Sequence, residues 1–227
     1  MLMFLFLLFL RVADVPYGAH PLQRFDVYAP ESAKNAPVIV MVHGGGWVIG
    51  DKASKWVVDN KRDHWLAKGF VFVSINYRML PDADPLEQAR DVARAIDVIA
   101  TKAPQWGGDP RKLIVMGHSA GAHLVALVAA QQSTHWRAAV FLDSGAFDVV
   151  DIMQRRHLAL YDNAFGSDER FWRKVSPYHV LAKPSPPMLA VCSTKRLISC
   201  ASADRFIGKA RALGTRASVL KENLTPD

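Results

Sequence analysis

The chain has 227 residues, half of them apolar, and a formal net charge of +7. That length and apolar share suit one α/β domain with a large core and exclude a fragment too small to fold. The positive charge is dispersed in single residues and short pairs such as Arg155-Arg156 and Lys195-Arg196, so there is no dense basic stripe to follow a phosphate backbone, and nucleic acid is not an expected partner.

Residues 1–10 are entirely apolar and end at Arg11. They are too short to span a bilayer as a helix. They look like the apolar core of a signal peptide, but without the positive segment before it or a small-residue cleavage site after it. An uncleaved membrane tether, a degenerate leader and a mis-chosen start codon all stay open, and the folded domain is expected over 11–227. Residues 24–29 alternate apolar and polar and read as an exposed outer strand.

The runs 38–42, 71–75, 113–116, 138–142 and 188–192 are instead apolar throughout, save for Ser74, and rich in β-branched residues, as strands covered on both faces are. Between them, helical patterns occupy 55–68, 86–102 and 119–131, each bounded by Gly, Pro or Asp. Such alternation specifies a doubly wound, mostly parallel sheet. The pattern at 119–131 is apolar nearly all round, which predicts a centrally buried helix. Residues 145–181 break the rhythm: the stretch is longer than a connection needs and holds Tyr161, Phe165, Phe171 and Trp172.

Two motifs carry chemistry. Gly117-His118-Ser119-Ala120-Gly121 lies between a strand-like and a helical run, the context in which a serine at a sharp turn is lifted above the sheet edge as a nucleophile. His43-Gly44-Gly45-Gly46-Trp47 follows the strand 38–42, and consecutive glycines let backbone N–H groups turn inward without interference from a Cβ. Gly45, Gly46 and Ala120 are therefore the expected donors to the oxygen of a tetrahedral intermediate. The glycine run has neither the third glycine of a dinucleotide loop nor the Gly-Lys-Ser/Thr of a phosphate loop, and no cofactor is expected. His118 and His123 are five apart, off one helical face, and no cysteine or carboxylate completes a metal set with them.

With these motifs, Asn76-Tyr77-Arg78-Met79-Leu80-Pro81 and Trp106-Gly107-Gly108-Asp109-Pro110, the chain from about 24 to 192 resembles the α/β-hydrolase family. The likeness is to its esterases with an HGGGW loop and a GHSAG elbow, the hormone-sensitive-lipase-like and kynurenine-formamidase-like group. The resemblance implies helices on both faces of the sheet and a small cap formed by 145–181. It also implies a carboxylate after the strand 188–192 and a histidine after the last strand, in the chain order Ser, acid, His. Relatives tend to carry an aspartate where Ile198 stands.

Here the expected set is incomplete. The segment 193–200 holds no carboxylate, and no histidine follows His179. Asp204 is the nearest substitute acid and His179 the only candidate for a displaced base. The domain therefore reads as ending incompletely at its C-terminus.

The leading expectation is a serine hydrolase of the carboxylesterase type that cleaves small acyl esters through a seryl acyl-enzyme, impaired by the missing acid and base. A non-catalytic binding protein on the same scaffold and an aryl-formamide hydrolase are the alternatives. Cys192 and Cys200 can pair only if the loop between them folds back. A reduced, cytoplasmic enzyme is favoured, with export or tethering through 1–10 as the alternative.

Overall fold

The computed structural model describes residues 9–132, 136–196 and 198–223. Its strands are β1 (Phe9–Pro16), β2 (Arg24–Pro30), β3 (Ala36–Val42), β4 (Val71–Ile75), β5 (Gly108–His118), β6 (Ala138–Leu142), β7 (Met188–Ser193) and β8 (Ala217–Glu222). They form one sheet in the order β1-β2-β4-β3-β5-β6-β7-β8. β2 pairs antiparallel with β1 and with β4, and every pairing from β4 across to β8 is parallel.

The helices are α1 (Lys55–Ala67), α2 (Pro85–Lys102), α3 (Ala120–Gln131), α4 (Val149–Met153), α5 (Ala159–Phe165), α6 (Glu169–Val175), α7 (Pro177–Val180) and α8 (Ser199–Ala212). Alternate residues of the central strands feed two cores, because successive side chains of a strand point to opposite faces. Val38, Val40 and Val42 join α2, α3 and α8 in the larger core, while Ile39 and Met41 meet Val58 and Leu66 of α1 on the other face. The sheet is doubly wound and mostly parallel, with helices on both faces. Among the described residues no helix is long and apolar enough to cross a membrane.

Local chemistry sets the helix boundaries. α2 opens on a full capping box, in which the Asp84 carboxylate accepts from the N–H groups of Leu86 and Glu87, both at 2.9 Å, and Glu87 reaches back to the Asp84 N–H at 3.2 Å. Pro85 occupies the first helical position, where a missing N–H costs nothing. α3 is buried along its whole length from Ala120 to Ala130, as its all-round apolar pattern requires.

Two features differ from the sequence expectation. The strand β2 is not the outer one: β1 covers it, and Phe9 and Leu10, which the sequence groups with the apolar leader, pair there with Pro30 and Ala29. The polar residue that makes β2 look half solvated, Asp26, is fully buried against Lys52 at 2.6 Å. The segment 145–181 is ordered into α4 to α7, with Asp148 and Asp168 capping α4 and α6.

Candidate active site

Because β3, β5, β6 and β7 run parallel, their C-terminal ends open on one edge of the sheet, the usual place for a site in such folds. Ser119 stands there, between β5 and α3, with φ 51° and ψ −116°. A non-glycine residue in this region costs about 1–3 kcal/mol and persists only where its surroundings enforce it. Here the enforcing contacts are the Ser119 N–H donating to the Leu142 carbonyl at 2.8 Å and the Ser119 carbonyl accepting from the His123 N–H at 3.1 Å. The turn is this tight only because both flanking residues lack a Cβ: one at Gly117 would sit 2.4 Å from the Gly121 carbonyl oxygen.

The glycine loop lies directly against this elbow. A Cβ at Gly44 would come 3.1 Å from the Ser119 Cβ, so the loop and Ser119 are in van der Waals contact. The His43 Nδ1 bonds the Gly44 carbonyl at 2.7 Å, and the Gly45 carbonyl accepts from Val48 and Ile49 at 3.2 and 3.0 Å. Since carbonyl and N–H point in opposite directions across a peptide plane, these bonds leave the N–H groups of Gly45 and Gly46 facing away from the acceptors' partners. Among the described residues, neither they nor the Ala120 N–H have a protein acceptor. Gly45, at φ 115°, could not be any other residue: a Cβ there would overlap the Ile49 carbonyl.

The Asn76-Tyr77-Arg78 motif explains itself in this setting as a brace for the loop. Tyr77 stacks on His43 at 4.5 Å and donates to the His43 carbonyl at 3.0 Å. Asn76 holds the Lys52 N–H at 2.6 Å and the Asp51 carboxylate at 2.9 Å. Arg78 forks onto the buried carboxylate of Asp91 on α2, at 2.8 and 2.9 Å. The Trp47 carbonyl accepts from Leu80 N–H and from Gln88 of α2, both at 3.0 Å. The Trp47 ring, itself buried, packs edge-on against His123 and Phe165 and tilted against Tyr161, so α5 of the 145–181 segment rests on the glycine loop. Burial holds the His43 imidazole below its ordinary range, which keeps it neutral.

The candidate acid and base lie elsewhere and are engaged with other partners. Asp204 sits half exposed on α8 and pairs with Lys221 of β8 at 2.7 Å. The Nδ1 of His179 on α7 lies 3.0 Å from the Ser176 hydroxyl and 3.4 Å from Asp148. Among the described residues no imidazole is hydrogen bonded to the Ser119 hydroxyl. His118, its chain neighbour, is held below the ordinary imidazole range by burial and by Lys61 and Arg196, with Asp143 pulling the other way.

One carboxylate at this edge escapes sequence reasoning. Asp143 follows β6 at φ 50°, immediately after the residue whose carbonyl holds Ser119. It accepts from the Ser193 N–H at 2.9 Å, the Ser199 hydroxyl at 2.5 Å and Arg196 at 2.9 Å. Burial works to raise its pKa, but these donors outweigh it and hold the carboxyl below the usual range. A carboxylate thus does anchor the loop after β7, but it comes from the neighbouring strand. Only the Asp-Ser-Gly run after an apolar strand hinted at it.

The same loop is closed by a disulfide between Cys192 and Cys200, eight residues apart, where the sequence favours reduced thiols. Closing so short a loop restricts the unfolded chain by about 2–3 kcal/mol on the chain-entropy account. Cys192→Ala with Cys200→Ala is expected to lower the unfolding free energy by that amount in urea titrations. An unchanged midpoint would show that the bridge constrains nothing.

The BD-FAE family model matches residues 25–153, more than half of the chain. An isoprenylcysteine alpha-carbonyl methylesterase of Arabidopsis thaliana is 28% identical over 234 residues, covering 91% of this chain and 54% of its own length. A kynurenine formamidase of Danio rerio is 30% identical over 146 residues, 62% of this chain and 47% of its own. The chain spans about half the length of the curated relatives it matches. Among solved structures, esterase B of Lactobacillus rhamnosis inhibited by a tributyrin phosphonate superposes with a TM-score of 0.79 at 21% identity, covering 94% of this chain and 74% of that one.

Proposed function

Because the chain belongs to the BD-FAE family of α/β-hydrolase esterases, we propose that it is a serine hydrolase of the carboxylesterase type that acts on small acyl esters. The observation that carries this reading is the contact between the strained Ser119 elbow and a glycine loop whose N–H groups are unspent. In the proposed reaction the Ser119 oxygen attacks the ester carbonyl, and its proton is carried by water to the departing alkoxide, which leaves as the neutral alcohol. The resulting oxyanion takes hydrogen bonds from Gly45, Gly46 and Ala120, and the carbon–oxygen bond to the leaving alcohol breaks. Water then releases the acid from the acyl-serine. Losing a single oxyanion donor typically costs about 3 kcal/mol of transition-state stabilisation.

Turnover is slow in this reading, because among the described residues no base is seated against Ser119, and a serine hydroxyl without one is a weak nucleophile at neutral pH. The kynurenine formamidase likeness supports an aryl-formamide as the second substrate class, attacked in the same way. The bridged cysteines favour an oxidising compartment over the reducing cytoplasm.

A fluorophosphonate probe, followed by peptide mass spectrometry, tests the nucleophile. Labelling confined to Ser119 and lost in Ser119→Ala is expected. An unlabelled chain with native circular dichroism would favour the non-catalytic binding protein, whose ligands raise Tm while Ser119→Ala leaves ester hydrolysis at background.

A further inference from the structure

His123 is buried among the elements that form the site, yet the proposed reaction makes no use of it. Its imidazole lies between two partners from distant parts of the chain. The Trp47 indole nitrogen lies 3.2 Å from its Nδ1, and the Val175 carbonyl oxygen lies 2.7 Å from its Nε2. An indole can only donate and a carbonyl can only accept. The imidazole is therefore the neutral tautomer that accepts at Nδ1 and donates at Nε2. Burial pushes its pKa down to about 4, so this form persists throughout the neutral range.

The three residues belong to different parts of the site. Trp47 closes the glycine loop and stands at φ 66°, a conformation unfavourable for a tryptophan unless the ring is held. His123 sits one helical turn beyond Ser119 on α3. Val175 ends α6, in the segment laid over the loop.

We propose that His123 is a positioning residue, which fixes the Trp47 indole and with it the Gly45 and Gly46 donors relative to Ser119, and which fastens the 145–181 segment to the helix that follows Ser119. The proposal rests on the serine-hydrolase reading for its catalytic consequence, but the tether itself can be tested separately.

Two conservative variants separate the two bonds. The Oδ1 of an asparagine occupies the position of Nδ1 in the side chain, so His123→Asn keeps an acceptor for Trp47 and gives up Val175. The Nε2 of a glutamine occupies the position of the histidine Nε2, so His123→Gln keeps the donor to Val175 and gives up Trp47. Trp47→Phe removes the indole donor and retains a ring.

The first measurement is hydrogen exchange of the ¹⁵N-labelled Trp47 indole, its signal assigned by its disappearance in Trp47→Phe. Slow exchange in the parent and in His123→Asn, with fast exchange in His123→Gln, is the expected result. Equal protection in both variants would overturn the tether. The second is the rate of Ser119 phosphonylation. His123→Asn should stay within about threefold of the parent, while His123→Gln and Trp47→Phe fall at least tenfold, since misplacing a catalytic group by 1 Å can cost about 10²-fold. If both His123 variants fall together in step with their Tm, the role is one of stability alone and the positioning proposal is wrong. If the parent itself is unlabelled, the serine-hydrolase reading fails, and the indole exchange still decides the tether.

Discussion

Gly121→Ala should destabilise the domain by about 3–4 kcal/mol, near the top of the range for single substitutions. A Cβ at this position would lie 2.3 Å from the His43 carbonyl oxygen and 2.4 Å from that of Val42. Both obstacles are backbone, one in the last residue of the central strand β3 and one in the residue just after it, so neither can rotate aside as a flexible side chain would. Overpacking a well-filled core ordinarily costs about 1–3 kcal/mol, and here the strain falls on the sheet's middle. Relief requires α3 and β3 to separate, which also moves Ser119 away from Gly44. Gly208→Ala serves as the control: it lies within α8 with nothing within 4 Å of its missing Cβ, and alanine there should stabilise by about 0.5–1 kcal/mol. Urea titrations of the two variants should move in opposite directions. A loss below about 1 kcal/mol for Gly121→Ala would mean that the elbow and β3 are not in this close contact.

The second large effect concerns the buried charge cluster beneath the edge of the sheet. Asp26 is fully buried and takes Lys52 at 2.6 Å, Arg11 at 3.2 Å and the Asp14 N–H at 2.9 Å. The Lys52 ammonium also reaches Asp14 at 3.0 Å, with its side chain only 8% exposed. Deleting Asp26 leaves the buried Lys52 ammonium with only the exposed Asp14 carboxylate, and disrupting a buried ion pair costs about 3–5 kcal/mol, so Asp26→Ala should fall in that range.

The acid limb gives an independent check. Burial would raise the Asp26 pKa, but the Asp14 N–H, Lys52 and Arg11 outweigh it and hold the carboxyl below its usual value. The folded state therefore takes up this proton less readily than the unfolded chain does. The contribution is complete above the unfolded value of about 4 and is lost as the pH falls further. Unfolding free energies measured from pH 6 down to pH 3 should drop less steeply in Asp26→Ala than in the parent. Parallel slopes would show that Asp26 is not the group responsible.

Much of the scaffold was legible because buried parallel strands announce themselves. The stretch 71–75 is buried on both faces, apolar but for Ser74, and its bounds coincide with β4. The strand β1 was hidden because most of it is exposed and its first residues continue an apolar run that looks like a leader. Asp26 misled for the opposite reason: a carboxylate in an alternating pattern reads as solvent-facing, and only the distant Lys52 makes its burial tolerable. The elbow and the glycine loop were readable because their chemistry is backbone chemistry, written locally in glycines. The surroundings of Asp143, His123 and His179 were not, since each depends on partners 50 or more residues away or on elements shorter than two helical turns. The chain order that pointed to Asp204 carried no information about Lys221 waiting beside it.

The brace around the glycine loop has a further consequence. Every contact described for holding the 43–47 segment and Ser119 comes from residues between His43 and Val175, before β7 and β8 are reached. The contact between the glycine loop and Ser119 is thus held without β7 and β8. Sequence drift or engineering in the last two strands and their loops can introduce or replace a proton carrier without disturbing this contact, which makes the chain from β7 onward the natural place to graft a new imidazole.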